Sequence, residues 1–487
     1  MAEPSSHDSR LRLTSNRFIS FLLFAVVITR IPYLMSGYGS DPDAWLVASS
    51  ASTLWQTGQY FPSRLPGYPL YEVLMAPMIA LGGSFLSNTL TLLITLVTIL
   101  IWFHIAQRHS PHPRLLTLAL AFAPVVWQHS GDTMDYLWSL CFALGALVCA
   151  ENRRVVLSAV LTGLAIGFRL SNTVFAIPLL VLLLVEKNTR KEVLIFCVTC
   201  IGVSIVVYLP LLTKYGLPGW IVATRVQMGD IHPNSLLQRA IAFGYRTVYS
   251  IGPITALLAG LLLWRGRANV RGSFRTKEPI IVFSSTVILV YTALFWLIPL
   301  DRAYLLPAMP FLFLVVSRSS STKQFAAFTF VLIFSGLWNI DVIDKAQRRQ
   351  AHLNLHEGMV IEEFMIRQDK RREREAIAEL MFNHKAIVMT SDPTFWFENT
   401  LVGLAVDPGF INRDYEARLQ FESQRRLAQK RDDTRILFIR YLLKDEVESA
   451  TTLGYRVYCV RRAQKSIERE AGYALEDAGV TVIDVMH

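Results

Sequence analysis

The sequence predicts an α-helical polytopic membrane protein, with about 11 transmembrane helices and a C-terminal soluble α/β domain. Three observations carry this reading. Of the 487 residues, 52% are hydrophobic and only 18% charged, a balance outside the soluble range. Apolar runs close to the ~20 residues that cross a bilayer recur from residue 18 to residue 340. Beyond residue 340 no such run occurs, most of the acidic residues and many basic ones are found there, and residues 341–487 are numerous enough for a core of their own. The net charge of +10 does not point to nucleic acid. Much of the excess lies in short segments between apolar runs, as orientation signal and anionic-lipid contact.

In chain order, residues 1–17 hold Arg10, Arg12 and Arg17 ahead of an apolar stretch without a small-residue cleavage site. They read as a cytoplasmic N-terminus leading into an uncleaved signal-anchor. Residues 18–340 form the transmembrane module. Spans are expected at 18–36, 87–106, 114–130, 133–150, 155–168, 171–186, 193–213, 248–264, 280–299, 303–317 and 323–340. Residues 68–83, YPLYEVLMAPMIALGG, either span the bilayer or lie along its surface. Charge decides between the two. With 68–83 on the surface, the N-terminus, RHSPHPR, ENRR, EKNTRKE, WRGRANVRGSFRTKE and SRSSSTK all face the cytoplasm and hold most of the Lys and Arg of the connecting segments. With 68–83 spanning, every later loop flips and the positive-inside rule is broken. The surface reading places the outer loop 37–86 and the tail 341–487 on the outer face. Cys141, Cys149, Cys197 and Cys200 lie in apolar runs, so the C-x-x-C of Cys197 and Cys200 reads as helix packing, and Cys459 is alone in the tail.

On that topology the polar residues gather at span ends on one face, which suits a site at the lipid–water boundary better than a mid-bilayer transport path. In SDPDAW, Asp41 is a helix N-cap, Pro42 the first helical residue and Asp43 a partner for the helix dipole. That role also pre-positions either carboxylate for catalysis. Trp45, Leu46, Leu54 and Trp55 give the same helix an apolar face to rest on the membrane. Arg64, Arg169, Lys214 and Arg302 each read as a snorkelling span-end residue or as a ligand for phosphate. Arg169 is disfavoured by charge rules at a hairpin tip, and Arg302 opens a helix, where a guanidinium and an N-terminus together suit an anion. Asp132 reads as an N-cap, or with Asp135, three residues on, as a carboxylate pair for acceptor or ion binding. Tyr68 and Glu72, in RLPGYPLYE, are further candidates for acceptor or substrate contact, and His129 reads as a boundary histidine. Neither a Walker A motif nor a metal-ligand spacing occurs.

Carboxylates beside phosphate-binding cations at an outer surface suit a sugar carried on a lipid phosphate. The acceptor hydroxyl needs a general base, and the departing phosphate needs its charge stabilised. The order span, D-x-D-A-W, R-L-P-G-Y-P-L-Y-E, G-G, span resembles the first outer loop of the GT-C superfamily of polytopic glycosyltransferases, which includes protein O-mannosyltransferases and lipid A aminoarabinose transferases. GLAIGFRLSNTVFAIPLL and DRAYLLPAMPFLFL are similar to hairpin and late-helix patterns of that group, so the likeness covers residues 18–320. It implies a polyprenyl-phosphate sugar donor, inverting transfer to a protein, lipid or glycan acceptor outside, and a base at Asp41 or Asp43. Asp-Pro-Asp stands here where many relatives have adjacent Asp-Glu. No cofactor is certain, and a divalent ion (Mg or Mn) stays open. The expected place is the bacterial inner membrane, with the site facing the periplasm. A transporter or flippase-like protein of glycolipid or envelope pathways is the alternative, and a scaffold presenting the tail is a third reading.

In the tail, residues 345–384 read as a charged helix. AIVMT, RILFIR, YRVYCV and VTVIDV then alternate with helical stretches, which predicts a small domain with a largely parallel sheet. SDPTFWFENT follows a strand end, where Asp392, Trp396 and Glu398 read as a plain loop or as glycan or peptide contacts.

Overall fold

A computed structural model describes residues 6–229, 235–341, 354–379, 386–389, 436–439 and 442–483. The helical module runs α1 (Ser6–Leu34), α2 (Pro42–Thr57), α3 (Pro69–His109), α4 (Pro113–Ala121), α5 (Pro124–His129), α6 (Tyr136–Glu151), α7 (Val155–Phe168) and α8 (Ala176–Val185). It continues through α9 (Arg190–Gly229), α10 (Leu236–Ile251), α11 (Pro253–Arg265), α12 (Arg267–Arg275), α13 (Pro279–Leu297), α14 (Met309–Arg318) and α15 (Thr322–Leu337). Proline sets many of the starts. Pro42, Pro69, Pro113, Pro124, Pro253, Pro279 and Pro310 all stand in the first two helical positions, where the missing N–H would be unpaired in any case.

Among the described residues, four helices are long and apolar enough to cross a membrane: Asn16–Leu34, Pro69–His109, Arg190–Arg225 and Pro279–Leu297. The other expected spans form shorter or broken helices. Expected span 114–130 is divided between α4 and α5 ahead of Pro124. Expected span 248–264 is broken at Gly252, where α10 and α11 meet at 89°. Gly252 has φ +89°, and a Cβ there would lie 2.5 Å from Ser335 Cβ, so the bend needs glycine. Residues 69–81 are helical and part from the remainder of α3 at Gly82 and Gly83 (φ +56° at Gly83). The pair that ends the ambiguous apolar segment is therefore a break, and the segment is not continuous with the span that follows.

One apolar core joins the module, from Tyr38 and Trp45 through Tyr71, Trp102 and Phe168 to Phe311 and Phe328. The apolar face of α2 turns inward on this core, against the expectation that it rests on the membrane. Trp45 is buried and its Nε1 donates to Gly39 O at 2.8 Å, Leu46 and Leu54 pack on the core, and only Trp55 is exposed. The cysteines are all free thiols.

The expected boundary at residue 341 falls at the end of strand β1 (Trp338–Asp341), which pairs antiparallel with β2 (Asn354–Glu357). This hairpin reverses the chain after α15. Helix α16 (Met359–Glu379) then lies back against α15, α5 and α1. Beyond it come β3 (Ala386–Met389), β4 (Ile436–Ile439), α17 (Lys444–Thr452), β5 (Arg456–Val460), α18 (Arg461–Ala471) and β6 (Thr481–Ile483). The four strands form a sheet in the order β4-β3-β5-β6, all pairs parallel, as the alternation of apolar runs and helices predicts. Its core holds Ile387, Met389, Val457, Cys459, Ile467 and Leu475. Asp392, Trp396 and Glu398 lie outside the described residues.

Candidate active site

Asp41 starts α2 as read from the sequence: its carboxylate accepts from Asp43 N at 2.9 Å, with Pro42 next in the chain. From there the site is built on one shared carboxylate. Asp135 accepts from Arg169 Nη1 at 3.0 and 3.1 Å and pairs with Arg64 Nη2 at 3.3 Å. Arg64 Nε in turn pairs with Asp43 at 3.0 Å. Side-chain exposure is 8% for Arg64, 5% for Arg169 and 0% for Asp135, so the two pairs made by Asp135 lie out of bulk solvent and their screening is weak. Aromatic faces complete the enclosure. Arg64 lies 4.2 Å from the ring of Tyr68, and Arg169 lies 3.8 Å from Tyr136 and 4.7 Å from Tyr304.

The turn 130–135 brings the second acidic residue. Asp135, not Asp132, occupies the N-cap position of α6. Asp132 is turned instead to His129, whose Nδ1 lies 2.7 Å from Asp132 Oδ2. Threonine and asparagine stitch this turn to the loop before Asp41: Thr133 N donates to Tyr38 O at 2.7 Å, Thr133 Oγ1 to Asn88 Oδ1 at 2.9 Å, and Asn88 Nδ2 to Gly37 O at 2.8 Å. Arg30 Nε adds a bond to Ser130 Oγ at 3.1 Å.

Asp301, which the sequence reading left without a role, caps the short 3-10 turn Arg302–Leu305 by accepting from Ala303 N at 3.0 Å. It also accepts from the Tyr136 hydroxyl at 2.6 Å. Arg302 itself is half-buried and makes no hydrogen bond or ion pair among the described residues. Lys214 stands apart from the arginines. Its Nζ donates to Tyr60 O at 2.9 Å and sits 3.2 Å from the Phe61 ring, which pins the outer loop to α9. Glu72 is fully buried and accepts from Ser63 N at 2.7 Å and from the Tyr60 hydroxyl, so it fastens the same loop from inside. Removing that hydroxyl leaves Glu72 with half its partners. Tyr60→Phe is expected to lower stability by about 1–3 kcal/mol, read as a drop in the unfolding midpoint in detergent. An unchanged midpoint would show that the loop does not depend on this bond.

The structure thus brings Asp43, Arg64, Tyr68, Asp135 and Arg169 into one network, with Asp41 and Asp132 on its edge, and leaves Lys214, Glu72 and Arg302 outside it. The electrostatics of the two unpaired-looking carboxylates diverge. Burial, then the charges of Asp43 and Asp301, push the Asp41 carboxyl up to about 7. Burial also opposes charge on Asp301, but His129, the Tyr136 hydroxyl, the Ala303 N–H and Arg169 outweigh it and hold Asp301 below the usual carboxylate range. Asp43 and Asp135 face guanidinium groups, Asp132 faces a histidine, and among the described residues no three His, Cys, Asp or Glu side chains converge to hold a metal ion.

ArnT from Cupriavidus metallidurans in the apo state matches with a TM-score of 0.56 at 11% identity, over 90% of this chain and 95% of that one. The chain shares its fold with that protein. A match over 90% of the chain extends into both the helical module and the tail. Arabinosyltransferase EmbB from Mycobacterium smegmatis matches at a TM-score of 0.43 and 13% identity, over 76% of this chain and 38% of that one. ArnT from Cupriavidus metallidurans bound to undecaprenyl phosphate matches at 0.35 and 14% identity, over 83% and 90%. No protein-family model and no curated protein sequence matches the chain.

Proposed function

We propose that the protein is a membrane glycosyltransferase of the GT-C type that moves a sugar from a polyprenyl-phosphate donor to an acceptor hydroxyl at the outer face. One observation carries the donor half of this reading. Arg64 is held between Asp43 and Asp135, yet its Nη1 is buried and donates to nothing among the described residues. A buried guanidinium N–H without an acceptor is costly unless an anion completes it, and a phosphate oxygen is the acceptor for which arginine geometry is suited. Arg169 supplies a second cation on the far side of Asp135.

Asp41 is the favoured base. Asp43 is engaged by Arg64 and holds that arginine in place, whereas among the described residues Asp41 has only its capping bond, and its proton affinity is near neutral. In the proposed step the acceptor hydroxyl attacks the anomeric carbon as Asp41 takes its proton. The bond from that carbon to the phosphate oxygen breaks on the opposite side, and the anomeric configuration inverts. The negative charge appearing on the polyprenyl phosphate is met by Arg64 and Arg169. The fold shared with ArnT supports the class of reaction, and the outward orientation follows from the positive-inside pattern of the loops.

Comparative lipid and glycan mass spectrometry of cells with and without the protein tests the activity, and an absence of any changed species would sink it. The donor site is tested separately with undecaprenyl phosphate as probe. Arg64→Ala is expected to weaken its binding by about 10- to 100-fold, the worth of one or two hydrogen bonds to a charged group. Affinity equal to that of the parent chain would remove Arg64 from the donor site.

A further inference from the structure

The first helix of the tail reaches into the rim of this site. On α16, Glu363, Arg367 and Lys370 are all buried although the surrounding sequence is strongly charged. Glu363 accepts from Ser40 N at 3.2 Å, from the Ser40 hydroxyl, and from Gln128 Nε2 at 3.0 Å. Lys370 Nζ donates to Ser40 O at 3.0 Å. Ser40 is the residue before Asp41, so both backbone groups at the entrance to the proposed base are held by α16. One turn along the helix, Arg367 Nε pairs with Glu363 at 2.6 Å while its Nη1 donates to Gly131 O at 2.8 Å and Tyr33 O at 3.3 Å. Gly131 is the residue before Asp132. Tyr33 closes the circuit by donating its hydroxyl to Val360 O at 2.9 Å and setting its ring against Phe364.

We propose that α16 is a positioning clamp for the transfer site. The buried Glu363–Arg367 pair sets the spacing between the loop that ends in Asp41 and the turn that carries Asp132 and Asp135. This inference rests on the glycosyltransferase reading for what the spacing is used for, but the clamp itself is a statement about two loops and one helix. The physical reason for a charged clamp is direction. Apolar packing is non-directional, and a buried ion pair adds little net stability over a hydrophobic equivalent. Hydrogen bonds from a carboxylate to Ser40 N and from a guanidinium to Gly131 O fix where those backbones lie. Burial opposes charge on Glu363, but Arg367, the Ser40 hydroxyl and His129 hold its carboxyl below the usual range, so Glu363 stays ionised at neutral pH. Glu363 and Arg367 thus act through Asp41 and the 130–135 turn without meeting substrate.

The full-length protein in nanodiscs tests this. In Glu363→Ala, amide exchange within 37–43 and 130–135 is expected to rise by about tenfold, with exchange in 84–109 and 279–297 unchanged. Undecaprenyl phosphate affinity stays within about threefold of the parent chain, because Arg64 and Arg169 keep their own partners. Formation of the product identified by mass spectrometry falls by about 10²-fold, as expected when catalytic groups shift by an ångström. Glu363→Gln keeps an acceptor for the Ser40 N–H and restores product to within about fivefold of the parent; it also carries the test should Glu363→Ala not fold. Unchanged loop exchange overturns the clamp. Equal losses of product and of undecaprenyl phosphate affinity reduce α16 to general support and overturn it as well. If intact cells show no product at all, the transferase reading fails, and the exchange measurement alone still decides the clamp.

Discussion

Asp41→Asn is expected to lower sugar transfer by about 10²- to 10⁴-fold, the range spanned by loss of a general base. Undecaprenyl phosphate binding stays near that of the parent chain, because Arg64 and Arg169 are held by Asp43 and Asp135 and not by Asp41. Asparagine still accepts the Asp43 N–H, so the start of α2 survives and the loss is chemical. As the proposed base, the same residue is expected to set the acidic limb of the pH profile. A base must be ionised to accept a proton, so with the Asp41 carboxyl near 7 the rate falls about tenfold per pH unit below that value. The neighbours that act on Asp41 are Asp43 and Asp301, which raise its proton affinity, and Arg64, which lowers it. Asp43→Asn removes one raising charge and releases Arg64, and both changes move the limb to lower pH. A profile flat between pH 5 and 8, or full activity in Asp41→Asn, would pass the base role to another group.

Asp135→Ala is expected to give the largest loss of stability, about 3–5 kcal/mol, because it leaves a buried charge without its partner. Arg64 keeps Asp43 after this change, but no other carboxylate pairs with Arg169 among the described residues. The rings of Tyr136 and Tyr304 around Arg169 return only part of that energy. Asp43→Ala is a useful contrast. Its side chain is 37% exposed, so solvent screens the pair and the expected loss is about 1 kcal/mol or less. Thermal unfolding of the two variants in detergent separates these cases, and equal midpoints would mean that burial of Asp135 does not govern the network.

Much of the architecture was legible because it rests on short-range signals. Apolar runs mark where the helices lie, prolines mark where many of them begin, and alternation in the tail marks parallel strands between helices. Local chemistry also reveals the Asp41 cap and the Gly82–Gly83 break. What the sequence does not carry is which distant loops meet. Asp132 and Asp135 share a spacing that suits one helical face, yet the helix starts after both and they turn to different partners, His129 and the arginines. Trp45 and Trp55 look alike on α2, but one is in the core and the other in the open. Asp301 was hidden beside the more conspicuous Arg302. Glu363 and Arg367 lie in a stretch so rich in charge that every side chain there reads as solvated. Their burial depends on the β1–β2 hairpin, which returns α16 to the rim and for which four-residue strands leave almost no pattern.

The bond between Ser40 and Glu363 joins positions 323 apart in the chain. During synthesis the loop that precedes Asp41 emerges early, whereas α16 follows the last apolar helix. A nascent chain can therefore place all its hydrophobic segments in the bilayer while one wall of the rim is still inside the ribosome. It follows that a chain ended after α15 would keep every apolar helix of the module and still lack one wall of that rim.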